Sequence, residues 1–161
     1  MSATVSVNLP ALEAGARADA LYAAGVPAAR PLGTLVRRAA RAVLDAEGAT
    51  ELELSITLLD DDAIRTMNRD WLGRDKPTDV IAFALGEGDA EPLGDVYIGV
   101  ERAVEQATEA GVPVREELVR LVVHGTLHVL GYDHDEGAGR TAGEMWRRQE
   151  NLVQRILGEA A

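Results

Sequence analysis

Three histidines stand within eleven residues, His124-Gly-Thr-Leu-His128-Val-Leu-Gly131-Tyr-Asp-His134, and the rest of the 161-residue chain contains none. Neutral imidazole nitrogens are good ligands for zinc and its transition-metal neighbours. Three of them leave a fourth position for water, the arrangement of a catalytic rather than a closed structural site. Residues four apart on a helix are rotated by about 40° and separated by about 6 Å, so His124 and His128 share a face and can chelate one ion. His134 joins them only if the chain turns back, because six more helical residues would carry it about 9 Å onward and about 240° round. Gly131 is placed to end the helix as a left-handed residue. Two other readings stay open: three unrelated histidines, one of them in the core, or a structural zinc closed by Asp133 or another carboxylate.

The spacing is also that of the metzincin zinc peptidases, His-Glu-x-x-His-x-x-Gly-x-x-His. Where those enzymes place the glutamate that acts as general base, this chain has Gly125. Glycine accepts no proton, so peptide hydrolysis by that route is disfavoured, although a metal would still make hydroxide accessible near neutral pH. Met145 follows His134 by eleven residues, but a single methionine in an apolar helix reads as core.

The elements that must position these residues follow from hydrophobic periodicity. Val5–Leu9 alternates and reads as a strand, as do Glu51–Leu58, Asp79–Leu85 and Gly94–Gly99. Leu32–Ala46 carries its apolar residues at helical spacing, with Arg37, Arg38 and Arg41 on the opposite face. Such a charged face reads first as solvated surface and only second as an RNA-contacting stripe. Asp60-Asp61-Asp62 fits a helix N-terminus, where carboxylates cap free amides, better than a carboxylate metal cluster. A short helix follows through Asn68 to Trp71, and Gly73 ends it. Helices are expected over Glu101–Ala110, Val114–Leu130 and Thr141–Leu157, with an acidic turn at Gly86–Pro92. Residues 11–31, rich in alanine and glycine, read as a loop or loosely helical insertion. The sum is a single α+β domain over residues 1–161, with about four strands in a mixed sheet against about five helices.

Composition narrows the function classes. The chain is 47% hydrophobic and 27% charged, which suits a globular protein with one core. It has no cysteine, which excludes disulfides and thiolate ligands. No basic segment followed by an apolar run opens it, and the longest apolar stretch, Leu118–Leu130, is interrupted by Arg120 and His124. A soluble, cytoplasmic protein is therefore expected, with no membrane partner. The net charge of −11 weighs against a strongly electrostatic nucleic-acid binder without excluding a local basic groove. All sixteen cationic residues but Lys76 are arginine.

The histidine motif, with glycine in its second position, resembles the signature of the YbeY family of bacterial metal-dependent endoribonucleases. Upstream, Asn68-Arg-Asp-Trp-Leu-Gly-Arg-Asp-Lys-Pro-Thr-Asp-Val-Ile-Ala-Phe83 resembles that family's Pro-Thr-Asp-Val-Leu-Ser-Phe strand and the turn before it. Leu93-Gly-Asp-Val-Tyr-Ile98 resembles its next strand, and Glu117 falls where a family glutamate precedes the histidines. The resemblance covers roughly Asn68 to Met145 and implies a metzincin-like helix bearing a zinc-type site of His124, His128 and His134. It implies cleavage of single-stranded RNA, maturation of the small-subunit ribosomal RNA 3′ end, and ribosome quality control. Ribosomal particles and ribosome-associated proteins are the partners it suggests. Two positions depart from the family: Leu72 stands where many members have an arginine, and Ala82 where they have serine.

For the chemistry, the metal would polarise a phosphate oxygen or activate a water, beside a cation that stabilises developing charge. Arg74 is the candidate cation, with Arg69 as a second. Asp133 is the candidate acceptor orienting a ligand imidazole, though it equally suits a capping role after Gly131. Arg74, Lys76 and Arg115 are candidate phosphate contacts; Glu117 is an outer carboxylate or a surface one. A metzincin-like peptidase and a non-catalytic, metal-stabilised ribosome-assembly factor are the alternatives.

Overall fold

The alternation in Glu51–Leu58 becomes strand β2 (Glu53–Leu59), with Leu54, Ile56 and Leu58 buried and the residues between them only half-buried or exposed. The computed structural model describes residues 3–13, 15–85, 93–132 and 142–159. Around β2 lie β1 (Thr4–Asn8), β3 (Val80–Leu85) and β4 (Leu93–Gly99), in the spatial order β1-β2-β4-β3. The first three run parallel, with Val7 opposite Ile56 and Ile56 opposite Val96. β3 is antiparallel to β4 and forms one edge of the sheet. The helices are α1 (Ala16–Ala23), α2 (Ala29–Ala46), α3 (Asp61–Leu72), α4 (Val100–Ala110), α5 (Val114–Val129) and α6 (Ala142–Glu159). The parallel pair β1–β2 needs a crossover, which α1 and α2 supply. Among the described residues no helix is long and apolar enough to cross a membrane.

The mixed four-stranded sheet of an α+β domain is as the sequence predicts, with six α-helices where about five were expected. The difference lies in residues 11–31. Ala16–Ala23 is helical but buries only Ala18 and Leu21, so alanine hides its period. α2 begins at Ala29, before Pro31, because first-turn amides have no intrahelical partner and proline costs nothing there. Arg17 fastens α1 to the head of α3 through Asp60 and Asp62, both 3.2 Å away. The acidic run is a cap: Asp60 Oδ1 accepts the amide of Ala63 at 2.8 Å, and Asp61 pairs with Arg102 at 3.0 Å.

α5 is the central helix, packed against α2, α4, α6, β3 and β4. Eleven of its sixteen residues are buried, so little of its circumference remains open. The partly open side is Glu116, Arg120, His124 and His128, a stripe at successive intervals of four. On the side against the sheet, a Cβ on Gly125 would stand 2.5 Å from Val96 Cγ1 and 3.1 Å from Val80 Cγ2. A mid-helix glycine costs about 1 kcal/mol of helix propensity relative to alanine, so close packing must offset it. We expect Gly125→Ala to lose about 1–2 kcal/mol net in denaturant unfolding, because overpacking outweighs the propensity gain. A variant as stable as the parent would mean that the helix has room to move off the strand.

Candidate active site

α5 ends in a tight turn that satisfies its last carbonyls. Gly131 has φ +100°, and its amide donates to the carbonyl of His128 at 3.0 Å. The Tyr132 amide donates to Leu127, also at 3.0 Å, which completes a Schellman motif. Tyr132 is buried, and its hydroxyl donates to Glu47 Oε1 at 2.7 Å, holding this turn against the end of α2. Arg148 of α6 takes the other oxygen of the same carboxylate at 2.6 Å. The predicted left-handed glycine is therefore present; His134 and Asp133 lie outside the described residues.

His124 and His128 converge. Their Nε2 atoms are 3.1 Å apart and the rings meet at 72°, with centroids 4.6 Å apart. Two nitrogens on one tetrahedral zinc, each at about 2.0–2.1 Å, stand about 3.3 Å from each other, so this spacing fits two ligands of one ion. The other nitrogen of His124 is engaged: Nδ1 lies 2.6 Å from Gln149 Oε1. Gln149 Nε2 in turn donates to Glu150 Oε2 at 3.1 Å, which fixes the amide so that its oxygen faces the ring. With the proton on Nδ1, the His124 Nε2 lone pair points into the cleft. Among the described residues no third histidine or carboxylate joins the pair to complete a metal-holding group.

Glu150 ends the relay on Arg120, which contacts both its oxygens at 2.9 Å and also reaches Glu116 and Glu117, each at 3.1 Å. These charge-assisted contacts hold the Arg120 pKa above its ordinary range and the Glu150 pKa below that of a free carboxylate. Glu117 is 7% exposed, and its pKa is raised because burial outweighs the help it receives from Arg120. It is thus an interior member of the relay rather than a surface carboxylate. Gln149 is buried at 4% and did not stand out in the sequence. The available signal was its position: Met145, Gln149, Leu152, Val153 and Ile156 form the buried stripe of α6, and a glutamine there needs a partner. Met145 is core, as read from its sequence context.

The two histidines line a cleft of about 470 Å³ between α5 and the edge strand β3. Leu72, Asp79, Val80 and Tyr132 form much of its wall. Asp79 is held by Gln106 Nε2 at 3.0 Å, and its carbonyl accepts the Gly99 amide at 2.8 Å. Buried Asn68 steadies the loop from α3 to β3: its side-chain amide donates to the Lys76 carbonyl at 2.9 Å. Leu72 is half exposed at the cleft, and Trp71 beside it is 72% exposed, edge-on to Phe83. Arg74 and Lys76 are exposed on that loop and are not among the residues lining the cleft; Arg69 pairs with Asp70 at 3.0 Å. Arg115 sits at the other end of α5, thirteen residues or about 20 Å from His128, in a groove with Arg30 and Arg38. Gly125 faces Val96 and Val80, not the cleft, so the peptidase base has neither a side chain nor space here.

Comparison with known proteins decides the family. The sequence profile of endoribonuclease YbeY matches residues 26–157. The chain belongs to the YbeY endoribonuclease family. It is 46% identical over 142 residues to the endoribonuclease YbeY of Moorella thermoacetica, covering 81% of this chain and 90% of that one. With the Geobacter sulfurreducens YbeY it shares 41% identity over 128 residues, covering 76% of this chain and 85% of that one. The solution structure of TM1509 from Thermotoga maritima superposes with a TM-score of 0.64 at 26% identity, covering 97% of this chain and 91% of that one.

The relay makes two expectations for this family member. Gln149→Leu removes the acceptor beside His124 Nδ1; if the His124–His128 pair holds a divalent metal, the variant should weaken that binding about 10- to 100-fold by competition with a chelator. Unchanged affinity would mean that Gln149 only packs. Glu150→Gln should cost about 2 kcal/mol at pH 7, because it removes a charged partner of Arg120. The folded pKa of Glu150 is depressed, so this contribution is present above the unfolded carboxylate pKa and is lost as pH falls through the folded value. Glu117, with its pKa raised, has the opposite sign: stability falls as pH rises from its unfolded to its folded value. The difference between parent and Glu150→Gln in thermal unfolding should therefore shrink below about pH 4; a constant difference would rule the relay out as its source.

Proposed function

We propose that the chain is a metal-dependent endoribonuclease that cuts single-stranded RNA during ribosomal RNA processing, including small-subunit 3′ end maturation and ribosome quality control in the cytoplasm. The observation that carries this reading is the convergence of two imidazole Nε2 atoms, 3.1 Å apart, in a cleft of a chain that belongs to a family of endoribonucleases. His124, His128 and His134 would hold one divalent ion, zinc by the chemistry of the donors. When bound, the ion supplies Lewis acidity toward a phosphate oxygen and depresses the pKa of water.

The remaining work falls to the chain. Gln149 keeps the proton of His124 on Nδ1 and its lone pair toward the cleft. Asp133 acts in the same way as acceptor for a ligand imidazole. Arg74, two residues beyond the cleft-lining Leu72 but itself outside the cleft wall, would supply the cation that stabilises charge on the phosphate by reaching in from the loop between α3 and β3. The exposed face of Trp71 offers a stacking surface for an unpaired base, which a duplex would not present. Ribosomal particles and ribosome-associated proteins would bring the substrate to this acidic chain.

Incubating the zinc-loaded chain with a single-stranded RNA and with an unstructured peptide separates the classes. We expect RNA to be cut and peptide left intact, with His124→Ala and His128→Ala each losing more than the 10- to 100-fold that follows loss of an outer partner. Leu72→Arg, which places a guanidinium in the cleft wall, should raise kcat, and Arg74→Ala should lower it. Peptide cleavage without RNA cleavage, or full RNA cleavage by His128→Ala, would overturn the reading.

A further inference from the structure

The outer face of α2 gathers exposed arginines on this acidic molecule. Arg30, Arg37, Arg38 and Arg41 stand at i, i+7, i+8 and i+11, which puts them on one side of the helix, and all four are exposed. A shallow groove of about 450 Å³ runs between Arg30, Thr34, Arg38 and Arg115. It shares Thr34 and Arg38 with a second of about 480 Å³, lined also by Arg37, Arg41 and Arg155, with Asp45 and Glu159 among its walls. Six of the fifteen arginines thus border one continuous surface.

The arginines on the outer face of α2 stand outside the ion pairs found among the described residues, as do Arg74 and Arg147. Arg17, Arg65, Arg69, Arg102, Arg120 and Arg148 each have a carboxylate oxygen within 3.2 Å. Among the described residues Arg30, Arg37 and Arg38 engage none, and Arg41 donates instead to the backbone carbonyl of Ala3 at 3.3 Å. Carboxylates are abundant in this chain, with 27 acidic residues against sixteen basic ones. Arg37 and Arg41, four apart, and Arg38 and Arg41, three apart, repel each other at a cost of a few tenths of a kcal/mol per pair. Ion pairing therefore does not explain this face, whose arginines make one side-chain hydrogen bond to the fold among the described residues, that of Arg41 with Ala3. What it provides is a row of planar donors about 16 Å long, suited to bidentate contact with successive phosphates.

Its position separates it from the cleft. α2 packs over β1 at one edge of the sheet, whereas the histidine cleft lies against β3 at the other. We propose that the arginine face of α2, with Arg115 and Arg155, is a second RNA-docking surface that grips the phosphate backbone of the substrate away from the cut. This rests on the endoribonuclease reading and adds a substrate preference to it. An RNA long enough to reach both surfaces is held by two linked contacts, so it binds more tightly than a short one filling only the cleft.

The test uses the full chain, zinc-loaded, with a 40-nucleotide RNA containing an unpaired segment and a hexanucleotide. The variant Arg37→Gln/Arg38→Gln/Arg41→Gln should reduce the slope of log affinity against log salt for the long RNA by about two, at about 0.7 per lost phosphate contact. Affinity for the long RNA should fall at least tenfold at 0.1 M salt, while hexanucleotide cleavage stays at the parent rate. The matching triple lysine variant should keep the parent slope, since it keeps the charge. An unchanged slope in the glutamine variant, or equal losses in the glutamine and lysine variants, would overturn the docking surface. A parent that cuts the hexanucleotide but shows no preference for the long RNA would also overturn it and leave the catalytic reading standing. A parent that cuts neither RNA would instead remove the functional reading beneath it.

Discussion

The close approach of α5 to β4 is the constraint on which the rest depends. It requires that no side chain stand at Gly125, where even a methyl group would run into Val96. With the helix seated there, its neighbours in sequence have fixed directions. His124, one residue before, and His128, three after, fall on the stripe that faces the gap beside β3 rather than the sheet. The cleft is thus what remains between a helix pressed onto one strand and the edge strand next to it. Its depth is set by packing, so the geometry of the two imidazoles inherits the rigidity of a close-packed interior.

A buried polar relay then orients what packing has placed. Helix geometry brings the two rings together but leaves the tautomer of His124 undetermined. Gln149 determines it, Glu150 holds Gln149, and Arg120 holds Glu150, each link being a hydrogen bond of 2.6–3.1 Å. Such a relay is costly to bury and helps only when every member is satisfied. That condition is met among the described residues, where no buried side-chain polar atom lacks a partner. Glu117 shows the strain of the arrangement: burial pushes its pKa up although Arg120 is beside it. The relay contributes orientation to the site more than stability to the fold.

Much of this was legible in the chain itself. Two strands, Val5–Leu9 and Glu51–Leu58, announced themselves by alternation, and the helix-then-turn geometry of the histidine motif required a left-handed Gly131, which the structure has at φ +100°. α1 was not legible, because Ala16–Ala23 has almost no contrast between its faces. Gln149 was missed because only its place in the buried stripe of α6 marks it, while its partner His124 lies twenty-five residues away on another helix. Gly125 was read correctly as the absence of a base but for an incomplete reason, since its packing role depends on Val96 and Val80, far off in sequence. Local signals report periodicity and turns; contacts between distant segments are known only once the fold brings them together.

The central claim is that His124, His128 and His134 together form one three-imidazole metal site with an open position. X-ray absorption at the zinc edge, on the full chain loaded with one equivalent of zinc, counts those ligands directly. The account predicts three imidazole nitrogens at about 2.0–2.1 Å with one further light-atom ligand, falling to two imidazoles in His134→Ala. A spectrum with two or fewer imidazoles in the parent, or one unchanged by His134→Ala, would contradict it.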